Sequence, residues 1–171
     1  MADDLNNNCY PPDERPGYNP PDERPCPCPD VTLDLMRRLA GRELNQIELY
    51  NYLVNRATAR MQAQQMELVI TDSRILRDLR NTEEDNLEVI RKIYRDITGE
   101  DIVPIRQEYV EPASYRMGLE RAFFYEIDDI RLYREIWADL TDTMYRDQIF
   151  SIILDELTKV DRINFIYARE F

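Results

Sequence analysis

Histidine is absent from this chain of 171 residues, and glycine is scarce, with four copies. Without histidine, no zinc or iron site in the chain can use an imidazole ligand. Positive charge is in deficit, because 22 basic residues stand against 34 acidic ones and the net charge is −12. Such a chain offers no basic surface to a nucleic acid or an anionic membrane, so we expect neither as a partner.

Long apolar runs are missing too. No stretch approaches the length of a membrane span, and the first residues lack the positive and apolar regions of a signal peptide. We therefore expect a soluble protein made in the cytoplasm. Incorporation into a spore or cell-surface assembly would suit the proline- and cysteine-bearing arm described next, although no address signal indicates it.

Proline is unevenly distributed, and eight of the ten prolines precede Val31. The motif Pro-Pro-Asp-Glu-Arg-Pro occurs twice there, at 11–16 and 20–25. Because proline disrupts helix interiors and central strands, residues 1–30 are predicted to form an extended N-terminal arm with polyproline stretches. The remaining residues, 31–171, are enough for one compact domain with its own core.

All three cysteines, Cys9, Cys26 and Cys28, lie in this arm. Their spacing fits neither the Cys-x-x-Cys motif of redox proteins nor a zinc site, since neither histidine nor a fourth cysteine is present. Two interpretations stay open. The cysteines are either free surface thiols or form disulfides between subunits, to which the odd number points.

From Val31 onward, apolar residues recur at helical spacing with few helix breakers. The pattern predicts an all-α domain of four helices, at 31–62, 66–98, 113–140 and 142–169. Gly99 suits the end of the second helix, Ser114 suits the start of the third, and residues 141–143 suit a tight turn. Two tight hairpins joined by a longer connection form the ferritin-type four-helix topology.

The two halves of this helical region resemble each other in sequence. Residues 43–50 and 126–133 share the pattern Glu-x-x-x-Ile-x-Leu-Tyr. Residues 83–94 align without a gap with residues 156–167, sharing a glutamate, two isoleucines and a final tyrosine. Because both matches follow the order of a duplicated hairpin, we predict a bundle of two repeated helical hairpins.

Four glutamates occupy equivalent positions of this repeat. Glu156 shares a helix face with several isoleucines, and Glu126 shares one with Phe123 and other apolar residues. Both should therefore point into the core. By the repeat, Glu43 and Glu83 should do the same, so we predict that four carboxylates converge near the middle of one apolar core.

These residues resemble the di-metal site of the ferritin-like superfamily, and within it the rubrerythrin-type proteins, over about residues 32–168. In that family, two irons are bound by one Glu from each of helices one and three and by a Glu-x-x-His motif from each of helices two and four. The resemblance implies that Glu43 and Glu126 correspond to the single carboxylate ligands. It also implies that Glu83 and Glu156 correspond to the carboxylates of the two Glu-x-x-His motifs.

Both histidine positions of that pattern are changed, one to Asn86 and the other to Lys159. An amide oxygen is a weak ligand for iron, and an ammonium group is no ligand. Lys159 instead brings positive charge to the place where the family holds its metal. The chain also lacks a rubredoxin-like cysteine quartet. We therefore interpret the four glutamates as a vestigial metal site and expect no cofactor and no enzymatic activity.

Two functions follow as hypotheses. The first is a structural, self-assembling protein that has lost di-iron chemistry, with the arm mediating contacts between copies in a homo-oligomer, fibre or lattice. The alternative is a carboxylate-only di-metal protein, ferroxidase- or peroxidase-like, with two manganese or iron ions and Asn86 as an additional oxygen ligand.

A separate hypothesis concerns Asn86 and Lys159 themselves, which should face each other beside the glutamates. An isopeptide bond between them would require a neutral amine, which burial favours. The simpler expectation is that the ammonium donates hydrogen bonds to the amide oxygen and to two carboxylates.

Overall fold

The computed structural model describes residues 30–63 and 66–170, with side chains described for 30–60 and 71–169. Within these ranges the regular elements are four α-helices: α1 Asp30–Ala63, α2 Met66–Thr98, α3 Tyr115–Asp139 and α4 Thr143–Glu170. The predicted all-α four-helix fold is confirmed, and each boundary lies within two residues of its predicted position. The arm, with its three cysteines, lies outside the described residues apart from Asp30, which begins α1.

The helix ends follow local capping chemistry. Gly99 ends α2 with a φ of 76°, in the left-handed region, and its N–H donates to the Arg95 carbonyl oxygen at 2.8 Å. Ser114 caps α3, because its hydroxyl accepts from the Met117 N–H at 3.2 Å. Asp142 accepts from the N–H two residues later at 2.7 Å. Because Ser114 and Asp142 act as N-caps, α3 and α4 begin slightly later than predicted.

The helices pack in pairs. Helix α1 packs against α2 and α3 against α4, and the pairs join through contacts of α1 with α3 and of α2 with α4. Residues 99–114 cross over between the pairs along the outside of α1. The Ile105 N–H donates to the Arg37 carbonyl oxygen near the start of α1, and Glu111 lies 3.9 Å from Arg56 near its end. This is the single long connection that the sequence predicts.

The crossover lies close to α1 at Gly41. A Cβ atom at this position would lie 2.1 Å from the Ile105 carbonyl oxygen, which belongs to the backbone and cannot rotate away. The second helical glycine differs, since a Cβ at Gly118 would meet the side chain of Leu53 at 2.7 Å. Gly41 is therefore required by the approach of two backbone segments.

We expect Gly41→Ala to destabilise the protein by roughly 1–3 kcal/mol, the usual cost of overpacking a rigid contact. Gly118→Ala is the matched control, because it is also a helical glycine and gains about the same 1 kcal/mol of helix propensity, while the atom that its Cβ would meet is a side-chain methyl group and not backbone. Urea unfolding of both variants measures the difference. A Gly41→Ala protein as stable as the parent would show that the crossover does not lie against α1 at this position.

The core consists of two apolar clusters at different levels of the bundle. The first includes Met36, Leu39, Ile90, Ile136 and Ile149, and the second includes Leu49, Leu53, Leu76, Leu119 and Ile163. On every helix the predicted inward glutamate lies between the segments that form these two clusters. None of the four described helices combines the length and apolar character that a membrane span requires.

Candidate functional site

Each helix contributes one glutamate to the layer between the two clusters. Glu43 on α1, Glu83 on α2, Glu126 on α3 and Glu156 on α4 are all fully buried. Lys159 is also buried, one turn after Glu156. Carboxylates withdrawn from water in this way need charge or hydrogen-bond partners, because an isolated buried charge is strongly unfavourable.

The ammonium group of Lys159 lies inside this cluster. Its Nζ is 2.7 Å from Glu83 Oε2, 3.0 Å from Glu126 Oε2 and 2.7 Å from Glu156 Oε1. The fourth carboxyl group is close by, since oxygens of Glu43, Glu83 and Glu156 lie within 4.8 Å of one another. A single positive charge thus contacts carboxyl groups from α2, α3 and α4.

Asn86 approaches the same group from α2. Its Nδ2 donates to Glu156 Oε1 at 2.9 Å, so Asn86 and Lys159 share one acceptor oxygen. The two residues that stand at the histidine positions therefore each contact the glutamate of the other hairpin: Asn86 contacts Glu156, and Lys159 contacts Glu83.

Two tyrosines complete the cluster and had no role assigned to them from sequence. Tyr50 OH donates to Glu126 Oε1 at 2.5 Å, and Tyr133 OH donates to Glu43 Oε1 at 2.5 Å. The tyrosines occupy equivalent positions of the repeat, and each bonds the glutamate of the opposite hairpin. This reciprocity is the arrangement expected of two related hairpins facing each other. The shared tyrosine in the motif was the available signal.

A second buried polar group lies beside the glutamates and was missed from sequence. Gln46 Nε2 donates to Asp129 Oδ2 at 2.5 Å, and the Arg42 guanidinium donates to the other oxygen of Asp129. Gln46 and Asp129 are themselves repeat-equivalent, three residues after Glu43 and Glu126. Position i+3 shares the inward helix face, so the repeat could have identified both.

Electrostatics keep Lys159 charged. Burial disfavours the ammonium form, but the negative charges of Glu83, Glu126 and Glu156 outweigh burial and raise the pKa of Lys159 well above its ordinary value. The hypothesis of an isopeptide bond relied on burial lowering this pKa to yield a neutral amine. That expectation is wrong, because the surrounding carboxylates dominate. The Asn86 amide nitrogen also points at Glu156.

The carboxyl groups divide into two kinds. Burial, followed by the charge of Glu126, raises the pKa of both Glu83 and Glu156 well above the ordinary value. Burial acts in the same direction on Glu126, but the charge of Lys159 and hydrogen bonds from Glu156 and Tyr50 lower its pKa.

The residues present do not fit a histidine-ligated di-iron centre. Both imidazole positions hold residues that bind the glutamates, and Lys159 Nζ is at hydrogen-bonding distance from three of the four carboxyl groups. A cation bound by those oxygens would have to displace the ammonium. The oxygens of Glu43, Glu83 and Glu156 nevertheless form a group close enough to share a metal ion.

No family model, curated protein or solved structure matches this chain. The protein is an all-α four-helix bundle with a buried carboxylate cluster, which is compatible with a ferritin-like fold.

Proposed function

We propose that this protein is a ferritin-like bundle of the rubrerythrin type that has lost di-iron chemistry and serves as a structural, self-assembling unit. The observation that carries the proposal is the position of Lys159, whose Nζ lies 2.7–3.0 Å from three buried carboxyl groups. The ammonium takes over the charge compensation that metal ions provide in the family. A site organised in this way stabilises the bundle without binding a reactive metal.

The buried polar contacts support a structural role. Each glutamate is held by a tyrosine, an amide or the ammonium group from another helix, so the cluster connects all four helices. Networks of this kind favour one packing arrangement over alternatives, because any shift leaves buried charge without a partner. A rigid subunit is what a regular assembly requires.

In this proposal, residues 1–29 mediate contacts between copies of the chain. The segment is rich in proline and has too few apolar residues for a core of its own, and such segments become ordered by lying in a groove of a partner. The described residues from Asp30 onward already contain both apolar clusters. The arm is thus free to serve assembly.

We expect deletion of residues 1–29 to leave the bundle folded and helical but to abolish or sharply reduce higher-order assembly. Size-exclusion chromatography and circular dichroism of the truncated chain measure the two effects. Negative-stain microscopy of the full chain should show fibres, lattices or closed oligomers that disappear on truncation. An assembly of unchanged size after truncation would refute the role of the arm.

A second candidate function is a carboxylate-only metal site. It is favoured by the proximity of Glu43, Glu83 and Glu156 and by two buried oxygens, Glu43 Oε2 and Glu83 Oε1, that lack hydrogen-bond partners among the described residues. Such an oxygen-only site suits manganese, calcium or magnesium. Iron, and with it ferroxidase or peroxidase activity, would follow only from the family resemblance. The metal content of the isolated protein separates this candidate from the first.

A further inference from the structure

One side of the bundle exposes large apolar side chains. Seven residues on the outward sides of α3 and α4 are between 42% and 62% exposed: Met117, Phe124, Ile127, Phe150, Leu154, Leu157 and Phe165. On each helix they recur at helical spacing and form a stripe. We call these seven residues the α3–α4 face.

The two stripes form one continuous surface. Helices α3 and α4 run antiparallel, as shown by the hydrogen bond from Tyr167 OH to Glu120 near the start of α3 and by Arg146 lying over the Trp137 ring near its end. This register brings the α3 stripe level with Leu157 and Phe165, and Phe150 and Leu154 extend the apolar surface further along α4. A groove of about 310 Å³ between the helices continues the apolar surface inward, and it is lined by Leu119, Phe123, Phe124, Ile163, Asn164 and Tyr167, together with Glu120.

The internal repeat shows that the fold itself does not need this apolar character. The residues of α2 that correspond to Phe150, Leu154, Leu157 and Phe165 of α4 are Arg77, Asn81, Glu84 and Lys92, all exposed. Helix α2 therefore packs against its neighbours with a polar outward face. The corresponding side of α1 is covered by the crossover at Gly41. The α3–α4 face is the exception, and contact with a partner explains it.

The size of the face suits a protein partner. A large apolar side chain has roughly 150–250 Å² of surface, so seven that are about half exposed present roughly 700 Å². The largest apolar patch of a monomeric protein is about 300–600 Å², whereas a stable interface buries about 800 Å² on each partner. With a rim of polar residues, the α3–α4 face reaches the area that a stable dimer needs.

The charge of the face suits a second copy of the same chain. The charged residues that continue or border the two stripes at helical spacing are four of each sign: Arg116, Arg131, Arg134 and Arg146, and Glu120, Glu135, Asp147 and Asp161. The face is therefore neutral in a chain with a net charge of −12. Two acidic copies can approach each other here without the repulsion that other surfaces would produce.

We propose that the α3–α4 face binds the same face of a second copy, forming a two-fold symmetric dimer. The inference rests on the proposed function in that the dimer is the unit that the arms then join. The two contacts use different parts of the chain and can fail separately.

The test uses the full chain with Leu154→Arg and Leu157→Arg combined. Both side chains are about half exposed, so the bundle should fold, while two arginines on each copy would place like charges opposite each other in the dimer. The matched control combines Asn81→Arg and Glu84→Arg, which puts the same residues at the equivalent positions of α2. Sedimentation analysis measures the mass, and circular dichroism measures helix content.

We expect the parent and the α2 control to have masses at even multiples of 20.5 kDa. The α4 variant should have a smaller mass than the parent with unchanged helicity, because only the contacts of the arms then join its copies. If the α4 variant loses helicity, Phe150→Arg, which introduces the residue that α2 has at the same place, repeats the test. A monomeric parent, including one whose own arm covers the face, would overturn the inference. So would an α4 variant with the same mass as the parent, and neither result depends on the arm deletion.

Discussion

Replacing Lys159 with methionine is expected to lower the free energy of unfolding by about 3–5 kcal/mol at neutral pH, the typical cost of removing one partner of a buried ion pair. The side chain is 1% exposed, and its Nζ is the positive group in contact with three buried carboxyl groups. Methionine has a similar length but no charge. The decrease in the free energy of unfolding is therefore caused by the uncompensated carboxylates more than by a cavity.

The loss should be smaller in mildly acidic buffer. Glu83 and Glu156 have raised pKa values in the folded protein, so the stability linked to their protons is present below the pKa of the unfolded state and is lost as the pH rises through the folded values. Without the ammonium, the pKa values of Glu83 and Glu156 rise further. Glu126 also loses the charge interaction with Lys159 that lowers its pKa. Of the other titratable groups near the cluster, Tyr50, Tyr133 and Asp129 carry no positive charge, and the Arg42 guanidinium is paired with Asp129.

Urea unfolding between about pH 5 and pH 8 measures both effects. Because the chain has no histidine, side chains whose pKa values are shifted by the fold dominate the pH dependence of stability in this range. The matched control is Lys92→Met, which removes the only other lysine of the chain from an exposed pair with Asp96 and should leave stability almost unchanged. A Lys159→Met protein as stable as the parent throughout this range would show that the ammonium group is not held among the carboxylates.

The second large effect is a gain of metal binding. Combining Asn86→His with Lys159→His recreates a Glu-x-x-His motif on both α2 and α4, beside Glu43 and Glu126. It also removes the ammonium, so four buried carboxyl groups lack a counter-charge that divalent cations can provide. We expect the double variant to bind manganese or ferrous ions and to be stabilised by them, by about 2.7 kcal/mol at a free metal concentration of a hundred times Kd.

The single variant Asn86→His is the control, because it has one imidazole but keeps the ammonium in the cluster. Neither this variant nor the parent should show a rise in melting temperature when metal is added. Calorimetric titration and thermal unfolding, each with and without chelator, measure the binding. A double variant that folds but binds neither manganese nor ferrous ions would contradict the resemblance to a di-iron site.

The helices and the inward glutamates were predictable because both depend on periodicity along the chain. The spacing of apolar residues predicted the four helices. Glu126 and Glu156 share helix faces with apolar residues, and the repeat extended the inward orientation to the equivalent Glu43 and Glu83. The roles of Gly99 and Ser114 at the helix ends were also predictable. A helix that ends in a left-handed backbone conformation favours glycine, and an N-cap favours a residue such as serine.

Contacts that depend on how the helices are aligned were not predictable in this way. The hydrogen bonds from Tyr50 to Glu126 and from Tyr133 to Glu43 require the register between α1 and α3. The approach of Ile105 to Gly41 depends on the path of the crossover, which no periodicity describes. The raised pKa of Lys159 also depends on its distances to three carboxyl groups, which the sequence does not give, whereas burial on its own would lower that pKa.

In our proposal, the Lys159 ammonium group replaces metal ions in the buried carboxylate cluster. Elemental analysis of the protein, purified without chelator from cells grown with iron and manganese, tests it most directly. We expect metal far below one equivalent per chain and no rise in melting temperature when iron or manganese is added. Near-stoichiometric iron or manganese that is released together with a loss of stability would contradict it and favour the carboxylate-only metal site.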